Sequence, residues 1–466
     1  MRLIISYPSV RNLVISLMLC LVSNTLLAYS PYSTKELDEL EKEFIQHLNQ
    51  SDNVVRNALA TRYMSRLSGQ LTHHSKHFTS HVFLVKSNQI NAFAGPGGYI
   101  GIHSELILHT ESESELAAVL AHEIAHVKNH HLYQMLEHQK QMRIPMLASV
   151  LASIALGAIN PTLASGALMA SVTGINQDSI NFTRAHEKEA DRIGIKLLIE
   201  AGFNPEGMIK FFKKMQLNSR LYYRDNIPAI LQSHPLDAER IAEAEQRSAH
   251  HQNTYKDSTD YYLFKELVRT LTISDSKHLL DFYQYQCNKE TNHQSCQYGL
   301  ALTLLNLHQY QKANKQLSTV ENTMSNSLFF IIAKSQIDIG LGQFDNAIAP
   351  LQRLYSKQPD DYAIIMALSQ ALIAANRGPQ AVTTLLQGTR QFKNDIAMCT
   401  ALAQAQADAD RKDYAYFTQA NCDLLSGHPY QAINRLKQAK LLAKQDRLLQ
   451  QRIDAKLDEI RFLLEE

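Results

Sequence analysis

His122 and His126 lie four residues apart in the segment AAVLAHEIAHVKNHH, and Glu123 directly follows the first of them. On an α-helix this spacing puts both imidazoles on one face, where two ring nitrogens can hold one metal ion. Glu123 is then angled toward the open position of the metal, where it can take a proton from bound water. The pattern predicts metal-assisted hydrolysis, but it is short enough to occur by chance and needs support from its surroundings.

The helix that carries these residues provides that support. Buried imidazoles and a buried carboxylate need a partner for their charges, and a zinc ion supplies one. The sequence predicts a helix start near Glu113, with Ser112 as the N-cap and Glu115 completing a capping box. The other side chains that follow on this helix are largely apolar: Leu116, Val119, Leu120, Ile124 and Val127.

A catalytic zinc needs a third protein ligand, and the segment RAHEKEADRIG (184–194) offers one on a second helix. Glu187 and Asp191 are four residues apart and share a face. We interpret Glu187 as the third ligand and Asp191 as the acceptor of a ring N–H from one of the histidines. Glu189 is expected to point elsewhere. Three further histidines are expected to be solvated bystanders: His130, His131 and His186.

Together these segments resemble the HtpX/CAAX-prenyl-protease superfamily of gluzincin metallopeptidases. The motifs that carry the resemblance are NAFAGPGGYIGI (91–102), His122-Glu123-x-x-His126, Glu187-x-x-x-Asp191 and SHPLDAER (233–240). The resemblance implies a gluzincin-type domain with one zinc ion per chain. For residues 91–104 it implies an edge strand above the zinc, against which a substrate lies as an added strand. A purely structural hairpin is the alternative.

His234, in the last of these motifs, is open to three interpretations. It can donate a hydrogen bond to the oxyanion in the transition state. It can bind zinc as a fourth ligand, displace the water and silence the site. It can also simply cap a helix. Arg240 is expected to pair with an acidic group that the sequence does not identify.

Beyond residue 260 the chain repeats itself. Alanines recur at 34-residue steps, with a leucine four residues after each: Ala313, Ala347, Ala381, Leu317, Leu351 and Leu385. This spacing predicts tetratricopeptide repeats, in which paired helices touch at small residues. A fourth unit around Ala432 lies 51 residues after Ala381, which predicts an intruding helix of about 17 residues.

The sequence therefore predicts a mainly α protein with a small β-sheet, in which a gluzincin-type metallopeptidase domain precedes an α-solenoid of tetratricopeptide repeats. We expect a signal peptide over 1–28, the peptidase domain over 31–250 and the repeat domain over 261–466. The polar stretch 248–260 is the expected boundary. Helix is predicted over 33–70, 185–201 and 205–217, and strands over 81–87 and 99–103.

The N-terminus predicts export, because positive charge precedes a short apolar core that is too short to cross ~30 Å of hydrocarbon. The cleavage sites considered are Ala28 and Ser30. Four cysteines follow the signal peptide, and disulfides are expected in an oxidising compartment. Placement about two predicted helix–helix turns favours the pairs Cys287–Cys296 and Cys399–Cys422. Four free buried thiols are the alternative.

The uncharged segment 145–175 is interrupted at Asn160 and Pro161. A pair of buried or lid helices is favoured over a peripheral contact with a membrane. Lys and Arg number 46 against 45 Asp and Glu, so we do not expect nucleic acid as a partner.

The signal peptide and the repeats narrow the resemblance to periplasmic members that act on outer-membrane β-barrel proteins. This implies a monomeric zinc endopeptidase that degrades misassembled barrels and assists their assembly, with the β-barrel assembly machinery as partner. The alternative is a periplasmic chaperone or scaffold with a silenced or structural zinc site. An intact Glu123 favours the enzyme, since a structural site needs no base.

Overall fold

The computed structural model describes residues 33–73, 80–137, 144–156, 177–221, 228–251, 255–287 and 293–465. The expected signal peptide therefore lies outside the described residues. The described chain is mainly helical with one small sheet, as predicted from the sequence.

The helices before residue 250 include those that carry the expected site. In chain order they are α1 (Thr34–Gln50), α2 (Ala58–Thr72), α3 (Ser104–His109), α4 (Glu113–Lys128), α5 (His131–Glu137), α6 (Ile144–Ala155), α7 (Gln177–Glu200), α8 (Glu206–Leu221), α9 (Ala229–Ser233) and α10 (Ala238–Ser248). The helix predicted over 33–70 is interrupted by a short strand, and Asn57 restarts it. The Asn57 side chain accepts hydrogen bonds from the backbone N–H groups of Leu59 and Ala60, which is a preferred N-cap arrangement.

The start of α4 and its N-cap, Ser112, are as predicted, but the capping box is incomplete. Ser112 accepts a hydrogen bond from the backbone N–H of Glu115. The Glu115 carboxylate accepts instead from the backbone of Glu111 at 3.0 Å and from Lys214 Nζ at 2.8 Å. Only half of the expected capping box is formed, because the buried carboxylate is held by a lysine of α8.

The sheet has four strands: β1 (Val54–Val55), β2 (His81–Val85), β3 (Ala92–Ala94) and β4 (Tyr99–His103). Their order is β1-β2-β4-β3, with β2 parallel to β4 and β3 antiparallel to it. The turn between β3 and β4 contains Gly97 at φ 66° and Gly98 at φ 78°, a backbone conformation that glycine adopts without steric penalty. In the described sheet β3 pairs with β4 alone and therefore lies at the edge.

The second half of the chain is a series of helices in which successive members pack against each other. They are α11 (Thr259–Thr272), α12 (Ser276–Gln286), α13 (His293–Asn306), α14 (Tyr310–Ser318), α15 (Glu321–Met324), α16 (Leu328–Gly340), α17 (Phe344–Lys357), α18 (Tyr362–Ala374), α19 (Gly378–Gln391), α20 (Ile396–Asp408), α21 (Lys412–Leu425), α22 (Pro429–Leu442) and α23 (Arg447–Glu465). The alanines and leucines of the predicted repeats are all fully buried. Two full-length helices, α20 and α21, separate α19 from α22, whereas only α18 separates α17 from α19, so the intruding helix is confirmed.

The repeat has a second signature, in the turns. His308, Gly342, Asn376 and Asp410 follow each other at 34-residue steps and all have positive φ, between 56° and 72°. Gly427, 17 residues later, has φ 70°. Each of these residues ends one helix and reverses the chain into the next. Glycine, asparagine and aspartate tolerate this left-handed conformation best.

The peptidase region and the repeats share one hydrophobic core, which extends from α2 through α4 to α20. The ring of Tyr63 stacks on Phe264 of α11 at a centroid distance of 4.2 Å. The buried Glu113 carboxylate accepts hydrogen bonds from Tyr63 Oη at 2.7 Å, from Tyr255 Oη at 2.7 Å and from the backbone N–H of Ser258 at 2.8 Å. The polar stretch expected to be a boundary is thus fixed to the first turn of α4.

Helix α6 covers the first part of the uncharged segment and packs against α1, burying Leu147 and Ala148 against Leu40. The described part of this segment is one partly buried helix, and the expected second helix lies outside the described residues. Among the described helices, none is both long and apolar enough to cross a membrane. Both predicted disulfides are confirmed: Cys287–Cys296 has a Cα–Cα distance of 5.5 Å, and Cys399–Cys422 one of 5.8 Å.

Candidate metal centre

Four side chains that can bind a metal converge from three parts of the chain. Helix α4 supplies His122 and His126, helix α7 supplies Glu187, and the residue after α9 is His234. Each offers one ligand atom, and these atoms all lie within 4.8 Å of one another. The three residues predicted to bind zinc are therefore brought together, and His234 joins them.

The nitrogens and oxygens face one common point. Nε2 of His122 lies 3.0 Å from Nε2 of His126 and 3.3 Å from Nδ1 of His234. Oε1 of Glu187 lies 3.0 Å from Nδ1 of His234 and 3.4 Å from Nε2 of His126. Three imidazole nitrogens and a carboxylate oxygen form a ligand set that suits zinc.

Glu123 is buried beside this set and points into it. Within the described residues, neither of its carboxylate oxygens has a hydrogen-bond partner, and Oε1 lies 3.6 Å from Nε2 of His234. Burial raises the pKa of Glu123 above its ordinary value. A buried carboxylate without a donor is unfavourable unless a polar partner is supplied. A metal ion held by the neighbouring ligand atoms supplies a positive charge beside this carboxylate, so the residues fit the zinc that the sequence implies.

Asp191 lies where the sequence predicted it, next to a ring nitrogen of a zinc-binding histidine. Its Oδ1 is 3.0 Å from Nδ1 of His122. Arg240 donates to both of its oxygens, at 2.7 and 2.8 Å. Burial alone would raise the pKa of Asp191, but the hydrogen bonds from Arg240 and His122 hold it below its ordinary value. Asp191 is thus an acidic partner of Arg240, and Glu187 is a second one at 2.9 Å.

The pKa values of the two α4 histidines move in opposite directions. Burial lowers the pKa of His126 to about 3, which keeps the imidazole neutral, as a metal ligand must be. Burial acts in the same direction on His122, but the hydrogen bonds that its ring donates to Asp191 and Glu187 outweigh burial and raise its pKa to about 10. Metal binding at His122 therefore has to release a proton.

The prediction that His131 is solvated is wrong. His131 is 4% exposed, and its Nδ1 lies 2.9 Å from Nδ1 of His126. Its other nitrogen lies 3.2 Å from Oε2 of Glu189. His131 is buried because the chain turns at His130, where φ is 56°, between the end of α4 and the start of α5. His130 itself is exposed, as expected, and His186 is half-buried.

The edge strand lies against α4, and its open side can accept another strand. Phe93 pairs with Gly101 of β4, and Gly95 donates to the backbone of Tyr99 at 2.7 Å. In an antiparallel pair, a residue between two hydrogen-bonded positions directs its backbone N–H and C=O groups away from the partner strand. The backbone groups of Ala92 and Ala94 are thus directed at the open edge.

An apolar pocket adjoins Glu123 and His234. The apolar side chains that line it come mainly from α8 and from the segment around His234: Met208, Phe211, Phe212, Met215, Ile230, Leu231 and Leu236.

Comparisons with known proteins identify a peptidase region and a repeat region in the chain. Residues 56–248 match Peptidase family M48, and residues 339–405 match a tetratricopeptide repeat. The beta-barrel assembly-enhancing protease of Yersinia pestis is 32% identical over 427 residues, which cover 91% of this chain and 87% of that protein.

Two further relatives differ in how much of the chain they share. The beta-barrel assembly-enhancing protease of Escherichia coli (strain K12) is 31% identical over 431 residues, covering 91% of this chain and 87% of its own length. The mitochondrial metalloendopeptidase OMA1 of Arabidopsis thaliana is 26% identical over 182 residues, covering 39% of this chain and 32% of its own length.

Proposed function

Since the chain belongs to peptidase family M48 and is a metalloendopeptidase, we propose that it is a zinc-dependent endopeptidase of the periplasm. We propose that it degrades misassembled or stalled outer-membrane β-barrel proteins and assists their assembly. The observation that carries the catalytic part is the convergence of four ligand atoms beside a buried carboxylate without a donor. The relatives named for β-barrel assembly support the biological part.

The residues divide the chemistry among themselves. His122, His126 and Glu187 would hold the zinc, which when bound supplies an acidified water and polarises the scissile carbonyl. Glu123 accepts the proton of the attacking water and delivers it to the leaving amine. Its burial favours this role, because a raised pKa makes the carboxylate a stronger base. Asp191 holds the ring of His122 in one tautomer and orientation.

We propose that His234 is a fourth zinc ligand in the conformation described here. Its Nδ1 lies among the ligand atoms, whereas an oxyanion donor would have to face the substrate instead. In this position it occupies the place that the catalytic water needs. The structure then represents a closed site, which opens when His234 leaves. This arrangement also favours the second candidate, a chaperone or scaffold whose peptidase site is silenced.

The edge strand and the pocket support a choice of substrate. A polypeptide laid along β3 would be bound through main-chain hydrogen bonds, which do not depend on its side chains. The apolar pocket beside Glu123 would take a hydrophobic side chain of that polypeptide. Unfolded barrel precursors offer both features, because their strand edges are unpaired before the barrel closes.

The test of the catalytic proposal is Glu123→Gln. The variant should bind one zinc per chain and lose cleavage of unfolded casein by about 10²–10⁴-fold, the contribution of a general base. Glu239→Gln makes the same change at an exposed position and should have no effect. Both are also measured on a His234→Ala background, so that a closed site is not mistaken for a missing base. Normal cleavage by Glu123→Gln on that background would refute the mechanism.

The test of the partner proposal keeps the full chain, because deleting the repeats would cut through the shared core. A photo-crosslinking amino acid replaces Tyr430 or Leu448, which are 71% and 65% exposed on the repeats. The control position is Lys196, exposed on α7. We expect components of the β-barrel assembly machinery or barrel precursors, identified by mass spectrometry, at the repeat positions only. Equal capture at Lys196 would refute a targeting role for the repeats.

A further inference from the structure

His126 is in contact with a second line of side chains that leads away from the ligand atoms to the surface. Nδ1 of His126 lies 2.9 Å from Nδ1 of His131, and Nε2 of His131 lies 3.2 Å from Oε2 of Glu189. The side chain of His131 is 4% exposed and that of Glu189 52%. A buried imidazole thus connects a proposed zinc ligand to a carboxylate in contact with solvent.

The hydrogens on this line have a single consistent arrangement. If Nε2 of His126 binds a metal, the ring hydrogen has to be on Nδ1. That nitrogen then donates to the lone pair on Nδ1 of His131. His131 in turn carries its hydrogen on Nε2 and donates it to Glu189. Each group in the line therefore fixes the tautomer of the one before it.

The other α4 histidine has an equivalent partner made of different groups. Nδ1 of His122 faces Asp191, which Arg240 holds in place. Without His131, the corresponding nitrogen of His126 would have no such partner among the described residues. The two ligands from α4 would then be oriented unequally.

We propose that His131 is a positioning residue that fixes the tautomer and ring orientation of His126, with Glu189 fixing His131 in turn. This inference rests on the proposed function, since it assumes that His126 binds zinc through Nε2. Two features hold His131 in place. Its ring stacks on His186 at a centroid distance of 4.1 Å and an angle of 8°, and the turn at His130 delivers it under α4.

The experiment compares His131→Asn with His131→Leu, two side chains of similar shape. Only asparagine keeps an acceptor near the position of Nδ1. Zinc affinity is measured by competition with a chelator, and the absorption spectrum of the cobalt-substituted protein reports the ligand geometry. We expect His131→Leu to bind zinc about 10–100-fold more weakly, the usual effect of losing an orienting partner. His131→Asn should keep most of the affinity, and both should leave the melting temperature of the metal-free protein similar.

A second variant keeps the inference testable if His131→Leu does not fold. Glu189→Leu changes a largely exposed side chain and should weaken zinc binding in the same direction by a smaller factor, because Nε2 of His131 loses its acceptor. Wild-type affinity in His131→Leu would overturn the inference, as would equal losses in the asparagine and leucine variants. If His131→Leu does not fold, wild-type affinity in Glu189→Leu would overturn it. Failure of the unmodified chain to bind zinc would refute the proposed function instead.

Discussion

Arg240 contacts two buried carboxylates of the candidate metal centre, those of Asp191 and Glu187. It donates to both oxygens of Asp191 and to the backbone carbonyl of Pro235, and its Nη1 lies 2.9 Å from Oε2 of Glu187. Its guanidinium also lies over the ring of Phe212, 5.1 Å from the centroid. One buried cation thus neutralises two buried carboxylates and connects α10 to α7.

Replacing Arg240 by methionine should therefore destabilise the fold as well as the site. Removing one partner of a buried ion pair typically costs about 3–5 kcal/mol, because the remaining charge is left without compensation. Urea unfolding of the metal-free protein measures the change. Arg192→Met is the control, since that arginine pairs with Glu243 at the surface and should contribute less than about 1 kcal/mol. Similar losses in both variants would contradict this account of Arg240.

His234→Ala should raise peptidase activity and weaken zinc binding, because the fourth ligand is lost and its place becomes available to water. Initial rates on unfolded casein and chelator competition measure the two effects. His250→Ala, at an exposed histidine, is the control. A fall of about 10²–10³-fold in rate would instead assign His234 as an oxyanion donor. Unchanged activity and zinc affinity would leave only a capping role.

At the scale of elements, the helical period accounts for the part of the site that the sequence predicted. His122 and His126 share one face of α4, and Glu187 and Asp191 share one face of α7, because residues four apart lie on the same side of a helix. These two faces meet across the packed pair α4 and α7. Local periodicity was therefore sufficient to identify both residue pairs.

The contacts that the sequence did not identify depend on features other than period. His131 reaches His126 because a single residue, His130, adopts a left-handed conformation, and histidine gives no strong signal for it. Arg240 meets Asp191 because α10 crosses α7, which is a matter of tertiary packing. The expectation that His131 is solvated rests on its residue type alone. It does not take into account the turn at His130, which buries the side chain of His131. The same turn chemistry was missed in the repeats, at His308, Asn376 and Asp410.

The edge strand offers a test that separates substrate binding from folding. Proline at position 94 removes an N–H that points at the open edge, and it leaves the ladder to β4 intact, because Phe93 and Gly95 make those bonds. Proline is tolerated at such positions of edge strands. Ala94→Pro should therefore lower kcat/KM for unfolded polypeptides with little change in melting temperature. Ala94→Val, which keeps the N–H, is the control, and equal activity in the two variants would refute strand addition.

At the scale of the whole molecule, the polar stretch before the repeats is a junction. Asp257 accepts a hydrogen bond from the backbone N–H of Glu113 at 2.9 Å. Tyr255 and Ser258 donate hydrogen bonds to the carboxylate of Glu113. These residues are polar because the first turn of α4 offers polar groups that need partners. Composition alone predicts a domain boundary there. It does not reveal that some of these polar residues have buried partners.

A chain that ends at residue 250 should consequently fail to fold cooperatively. It would lose Phe264, on which Tyr63 stacks, and two donors to the buried Glu113 carboxylate, Tyr255 and Ser258. The matched control is a chain that lacks only α23, whose buried side chains belong to a separate hydrophobic cluster. Thermal unfolding followed by circular dichroism should show a cooperative transition for the control alone. A sharp transition in the shorter chain would mean that the peptidase region is an independent domain.

The repeats return to the start of the described chain. Asn49 and Gln50, at the end of α1, donate hydrogen bonds to the backbone carbonyls of Leu425 and Ser426 at 2.9 and 2.7 Å. A repeat array ordinarily behaves as a one-dimensional lattice in which each unit contacts only its neighbours and can fray from either end. Here α11 to α21 form an arc with both ends anchored, one on α4 and the other on α1. The arc has no free end at which local unfolding can begin. Its helices should therefore unfold together rather than one after another. Only α22 and α23, beyond the anchor, keep the freedom of an open lattice.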